Sequence, residues 1–262
     1  MGACMDSFDK FVEVVRRLRK ECPWDREQTH ESIKHLLIEE AYEAVESVDR
    51  HDLPELKKEL GDLLLHIAMH SVIAEEERAF SLDDVITGIT EKLIHRHPHV
   101  FGDVRVSSDT EVEQNWERLK KAEGRESVIE GIPKSMPALL KAQRLQEKVS
   151  NVGFDWGRAE DAWKKVEEEL REMQESASEG NAERLQEEYG DLLFALVNYA
   201  RFVNVTPENA LRSTIDKFSR RFRYIEGKLA ERGTTVHDST LEEMEALWEE
   251  AKKMEWRDGA HL

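Results

Sequence analysis

EEAYE at residues 39–43, followed after a fifteen-residue gap by ELGD at 59–62, returns as EELRE at 168–172 and, after the same gap, EYGD at 188–191. Each copy is Glu-Glu-x-x-Glu and then Glu-x-x-Asp. Residues three or four apart share one face of a helix, so Glu40 and Glu43 point one way, as do Glu59 and Asp62. Two such helices packed antiparallel aim four carboxylates at one small volume. Like charges at that range repel strongly unless a cation sits among them. Ligands that are all hard oxygens favour Mg²⁺, or Mn²⁺ as a substitute, over zinc. The pattern predicts an all-α metal–carboxylate protein with two related sites. Glu40, Glu43, Glu59 and Asp62 form the first set; Glu169, Glu172, Glu188 and Asp191 form the second.

The recurrence extends well beyond the acids. GDLLLHIAMHS follows the first motif and GDLLFALVNYA the second. EKLIHRHPHVF from Glu91 matches DKFSRRFRYIE from Asp216, which pairs Lys92 with Lys217 and Arg96 with Arg221. WERLKKAEGR from Trp116 matches WEEAKKMEWR from Trp248, and PWD at 23–25 resembles FDW at 154–156. So many elements in one order indicate two homologous helical halves in tandem. The stretch from Gly124 to Pro137 is rich in Gly and Pro and poor in helical periodicity. The expected division is therefore a first domain at 1–125, a linker at 126–136 and a second domain at 137–262.

Composition narrows the function. The 262 residues carry a formal net charge of −18, which disfavours sequence-independent nucleic-acid binding. With 39% hydrophobic residues the chain can still bury a core. The most apolar run, Leu63 to Ala74, is too short to span a bilayer and holds His66 and His70. Cys4 and Cys22 provide no zinc ligand set; a disulfide between them stays open, and a reduced, cytoplasmic setting is the expectation.

Helical stripes and caps fill in each half. Helices are expected from Ser7 to about Glu21, from His30 to Val48, and from Pro54 as first helical residue to about Ala79. Ser81 with Asp84 reads as a capping box for a helix ending near Arg96. Thr206-Pro207 reads as an N-cap and first residue of a helix through Arg221. No strand is expected.

A single Glu-rich copy reads as a solvated helix face. The duplication, and the apolar run entered directly after each Asp, favour the metal reading, because unpaired acids beside a buried stripe are costly. A di-iron bundle would use Glu-x-x-His, and here Asp stands in place of that His. His66 lies one turn beyond Asp62, but its counterpart is Ala195. Mg²⁺ usually meets a protein together with substrate phosphates. Lys217 and Arg221, and Lys92 and Arg96, share helix faces suited to phosphate. His95, His97 and His99 are replaced by Arg220, Phe222 and Tyr224 in the second half, so a shared metal role is not expected of them. Trp248 is open to two readings, stacking on a base or interface packing.

These residues resemble a known family. EExxE, the fifteen-residue gap, ExxD and the later Lys-x-x-x-Arg are similar to the all-α nucleoside triphosphate pyrophosphohydrolases. CPWDREQTH, ELGDLLLH, HRHPHVFGD, NVGFDW and EEYGDLLFALVN resemble in particular the tandem-domain MazG group, over nearly all of Cys22 to Trp256. The resemblance implies a Mg²⁺-dependent enzyme splitting NTP into NMP and pyrophosphate, with loose base specificity. It implies Glu169, Glu172, Glu188 and Asp191 as metal ligands, with Glu168, and Glu39 in the first half, beside the metal. It implies Lys217, Arg221 and, more weakly, Arg184 as phosphate ligands, and Trp248 against the nucleotide. It also implies a homodimer in which halves embrace as four-helix units. A nucleotide sensor without turnover and a purely structural helical protein are the competing readings.

Overall fold

In the computed structural model, residues 2–105, 108, 111–112, 115 and 127–257 are described. Trp116 and residues 124–126 of the expected boundary lie outside them, as does the side chain of Cys4; Cys22 is a free cysteine. Among the described residues every regular element is a helix. Among the described residues no helix is long and apolar enough to cross a membrane. The chain divides into two compact units, Met1–Ser108 and Asp109–Leu262.

The first unit holds α1 (Gly2–Glu21), α2 (Pro23–Arg26), α3 (His30–Asp49), α4 (Leu53–Glu76), α5 (Leu82–Arg96) and α6 (Pro98–Phe101). Thr29 and Ser81 each close a reciprocal capping box, with Ser32 and Asp84. Asp52 accepts from the Glu55 amide and caps α4, which makes Leu53 the first helical residue and Pro54 the second. That helix stops at Glu76, three residues short of the expected Ala79, because Arg78 turns into the left-handed region at φ 60. α3 and α4 pack as a hairpin, and α1 lies along α4. Their apolar stripes meet in a core of Val15, Ile33, Ala68, Met69, Val72 and Ile73.

The second unit holds α7 (Ala138–Ser150), α8 (Ala159–Glu179), α9 (Ala182–Phe202), α10 (Pro207–Glu231) and α11 (Leu241–Arg257). α8 ends at Gly180 in the left-handed conformation, φ 71, and Asn181 caps α9 across this tight turn. Ala162, Val166, Ser176 and Ala195 are all buried in these two helices. Such small side chains let helix axes approach closely. Thr206 precedes α10 as expected, although its hydroxyl makes no capping bond. α10 continues ten residues past Arg221, because Phe222, Ile225 and Leu229 prolong its apolar stripe. That stripe packs on Leu247 and Trp248 of α11. Upstream, the buried Lys148 ammonium donates to the carbonyls of Val128 and Glu130, which ties this part of the expected linker to α7.

Candidate active site

Each acid-bearing hairpin brings three carboxylates together. In the first, ligand oxygens of Glu40, Glu43 and Glu59 all lie within 4.8 Å of one another; in the second, those of Glu169, Glu172 and Glu188 do. Two glutamates one turn apart come from α3 or α8, and the third comes across the interface from α4 or α9. Asp62 and Asp191 fall outside these groupings and are exposed, an Asp reaching one methylene less than a Glu. Three converging carboxylates form an all-oxygen donor set that suits a hard divalent cation.

The two clusters differ in what offsets their charge. In the second, each acid has a cation beside it. Lys165 reaches Glu169 at 2.6 Å and Glu168 at 2.9 Å, Arg171 lies 3.5 Å from Glu172, and Arg184 donates to Glu188 at 3.3 Å. Glu169 and Glu168 together hold the Lys165 ammonium charged well above its usual range. In the repeat register Lys165, Arg171 and Arg184 correspond to Leu36, Tyr42 and Glu55. The first cluster therefore replaces three cations with an apolar residue, a phenol and a further acid. There, His66 Nε2 lies 3.8 Å from Glu40, and Glu59 faces Glu43, Glu55 and Glu40. Burial first, and these acids second, push the Glu59 carboxyl up to about 7.

Of the residues expected to bind phosphate, Arg184 stands on the second cluster, paired also with Glu179 at 3.1 Å. Lys217 is exposed on α10. Four residues on, the Arg221 guanidinium lies 5.3 Å from the Trp248 ring centre, with Phe218 packed on the same ring at 5.2 Å. Lys92 is exposed and Arg96 half-buried on α5. His97 Nδ1 bonds locally to the Leu93 carbonyl at 2.6 Å. Lys165 was missed by the sequence reading. Its place one turn before Glu169 is the usual ion-pair spacing, but the same spacing serves many surface pairs.

A cavity of about 630 Å³ opens beside the second cluster. Lys165, Glu169 and Asp191 are among its lining residues, as are the aromatic Phe154, Trp156 and Phe194. The aromatic loop leaves α7 through Gly153 at φ 90, a conformation side chains rarely adopt. Arg201 grips Asp155 with both terminal nitrogens, at 2.7 and 3.4 Å, and so ties that loop to α9.

Comparison with known proteins agrees with this geometry. The family model described as the MazG nucleotide pyrophosphohydrolase domain matches twice, at residues 28–101 and 159–225, so each match contains one acid cluster. The Thermotoga maritima protein named nucleoside triphosphate pyrophosphohydrolase/pyrophosphatase MazG is 44% identical over 94% of this chain and 95% of its own. The Escherichia coli K12 protein named nucleoside triphosphate pyrophosphohydrolase is 39% identical over 96% of this chain and 99% of its own. An uncharacterized Bacillus subtilis protein, YabN, is 48% identical over 95% of this chain, which spans only 52% of that longer relative. Two matches in register with two carboxylate clusters, and relatives aligned from end to end, place this chain in the MazG nucleotide pyrophosphohydrolase family.

Proposed function

We propose that this nucleoside triphosphate pyrophosphohydrolase works with Mg²⁺, cleaves NTPs and dNTPs of several bases to the monophosphate and pyrophosphate, and acts as a homodimer. The observation that carries the reading is the convergence of Glu169, Glu172 and Glu188 within 4.8 Å, with the cations Lys165 and Arg184 beside them. Such a site offers acids for a divalent ion and positive charge for a polyphosphate in one place. Glu169, Glu172 and Glu188 would hold the ion, with Asp191, which lines the cavity, as fourth ligand; Glu40, Glu43, Glu59 and Asp62 would do so in the first half. Mg²⁺ there would neutralise phosphate oxygens and acidify a bound water.

The chain's own residues do the rest. Glu168, tied to Lys165, orients the water and takes its proton as oxygen attacks the α-phosphorus. The bond to the β-phosphate oxygen breaks and pyrophosphate leaves, its charge met by Lys165, Arg184, Lys217 and Arg221. Trp248 keeps Arg221 oriented. The dimer is supported by apolar stripes that stand exposed on the helices bearing the phosphate candidates: Ile86, Ile89 and Leu93 on α5, and Leu211 and Ile215 on α10. The net charge of −18 supports an enzyme without a nucleic-acid partner.

The test is product analysis after incubation with each NTP and dNTP, in Mg²⁺ or in EDTA. Monophosphate and pyrophosphate in equal amounts, with metal only, are expected. Nucleoside diphosphate with orthophosphate would overturn the assigned bond. Glu172→Gln is expected to lower kcat about a hundredfold or more while the circular dichroism stays helical; full activity would remove Glu172 from the site.

A further inference from the structure

Two histidines of the first unit share one hydrogen bond. His30 opens α3, and His70 stands on the later half of α4. Their Nδ1 atoms lie 2.7 Å apart, with the ring planes parallel to within 4°. The contact needs a proton on one Nδ1 and a bare lone pair on the other. His70 Nε2 is buried and has no hydrogen-bond partner. A charged His70 would hold a second N–H there with nothing to receive it. Burial first, then His30 and His66, accordingly keep the His70 imidazole below its ordinary range.

The charged groups that neighbouring elements bring to this part of the hairpin are engaged with other partners. From α1, Arg16 pairs with Glu75 at 3.0 Å and Arg19 with Glu76 at 2.9 Å. Arg19 also donates to the carbonyls of Asp25 and Gln28, on the path from α2 to His30. On α3, Glu31 pairs with Lys34, and Glu40 lies 3.8 Å from His66 Nε2. On α5, Asp84 is held in its box with Ser81. The second half lacks the imidazole pair. In the repeat register Ala159 and Tyr199 replace His30 and His70, and Tyr199 packs edge-on against Trp163 at 4.9 Å.

We propose that His30 and His70 form an acid-released latch on the first hairpin: one shared proton holds the start of α3 to α4, and a proton on each Nδ1 parts them. α3 carries Glu40 and Glu43, and α4 carries Glu59, so the latch joins the two helices that build the first acid cluster. A ring that the fold keeps neutral takes up a proton more readily once the hairpin opens. Closure is therefore complete above about pH 6.5 and is lost as pH falls below it. The second hairpin has no imidazole at these places and stays closed through the same range. The latch acts on the scaffold and does not depend on which reaction the acids serve.

Amide hydrogen exchange of the full chain, followed by mass spectrometry at about pH 7.5 and about pH 5.5 and corrected for the intrinsic pH dependence of exchange, tests the latch. The first three turns of α3 are expected to lose about tenfold in protection at the lower pH, about what one buried hydrogen bond contributes. The first three turns of α8, which start at Ala159, are expected to keep theirs. His30→Ala, the residue of the second half, is expected to show the low protection of α3 at both pH values. Glu59 titrates in wild type and variant alike, so it drops out of that comparison. Should His30→Ala fail to fold, the wild-type contrast between α3 and α8 decides. Protection of α3 that does not change with pH, or that falls equally in α8, would overturn the latch. So would a fall of wild-type size in His30→Ala.

Discussion

Glu59 is 6% exposed, faces three other glutamates, and holds its proton up to about pH 7. Its ordinary value is 4.5, so between those two pH values the folded chain binds a proton that the unfolded chain has released. The stability linked to this group is therefore complete below about pH 4.5 and is lost as pH rises through about 7. In metal-free protein, Glu59→Gln is expected to flatten that part of the Tm–pH profile and to raise Tm above pH 7, as scanning calorimetry would show. A slope unchanged in the variant would assign it to other groups. The second cluster makes the opposite case, because Lys165 competes with any incoming cation for Glu169. Lys165→Met is expected to tighten divalent binding there by about two- to fivefold, the range of a partly exposed ion pair, in a calorimetric titration without nucleotide. Weaker binding would show that Lys165 does not oppose the cation.

At the scale of the element, helix identity was written in local signals. The Ser81–Asp84 box, the Asn181 cap and the Gly180 stop act within a turn or two of chain, and their residue types state their roles. Helix ends set by packing were less legible. α10 outlasts its expected end because Ile225 and Leu229 have Leu247 to bury against, which no window around Arg221 contains. Leu229 is among the most buried large side chains of the protein. Leu229→Ala is expected to destabilise the second unit by about 2–5 kcal/mol, read as a lower denaturant midpoint with the m-value unchanged. A loss below about 1 kcal/mol would mean that the cavity left by the leucine collapses at little cost.

For the whole molecule, each acid cluster is built by only two helices, whose outer faces stay apolar. Tyr42, Val45, Leu60 and Leu64 are exposed on the first hairpin, and Leu170, Tyr189, Leu193 and Leu196 on the second. Faces of this kind seek another helical layer. Association is therefore expected to use them together with the stripes on α5 and α10. Ile215→Glu is expected to shift the sedimentation profile from dimer to monomer with helicity retained; an unchanged profile would move the interface away from α10. Adding Mg²⁺ is expected to raise Tm in proportion to the logarithm of its concentration above Kd, and EDTA to reverse the effect.

By itself the sequence determined the helical class, the duplication and the two acidic sets, because periodicity, capping and repeat register are carried by neighbouring residues. Glu40, Glu43 and Glu59, and likewise Glu169, Glu172 and Glu188, could be paired on paper since i, i+3 and i, i+4 spacing survives in any helix. Only the tertiary structure decided that Glu59 and Glu169 are buried within their clusters. Lys165 with Glu169 and Arg184 with Glu188 are local i, i+4 pairs, and packing is what brings the two helices' pairs to one cluster. It also decided that Gln146 on α7 is buried and donates to the Phe194 carbonyl on α9, 48 residues away. Burial and the pairing of polar atoms depend on which helices meet, and that is a property of the folded chain.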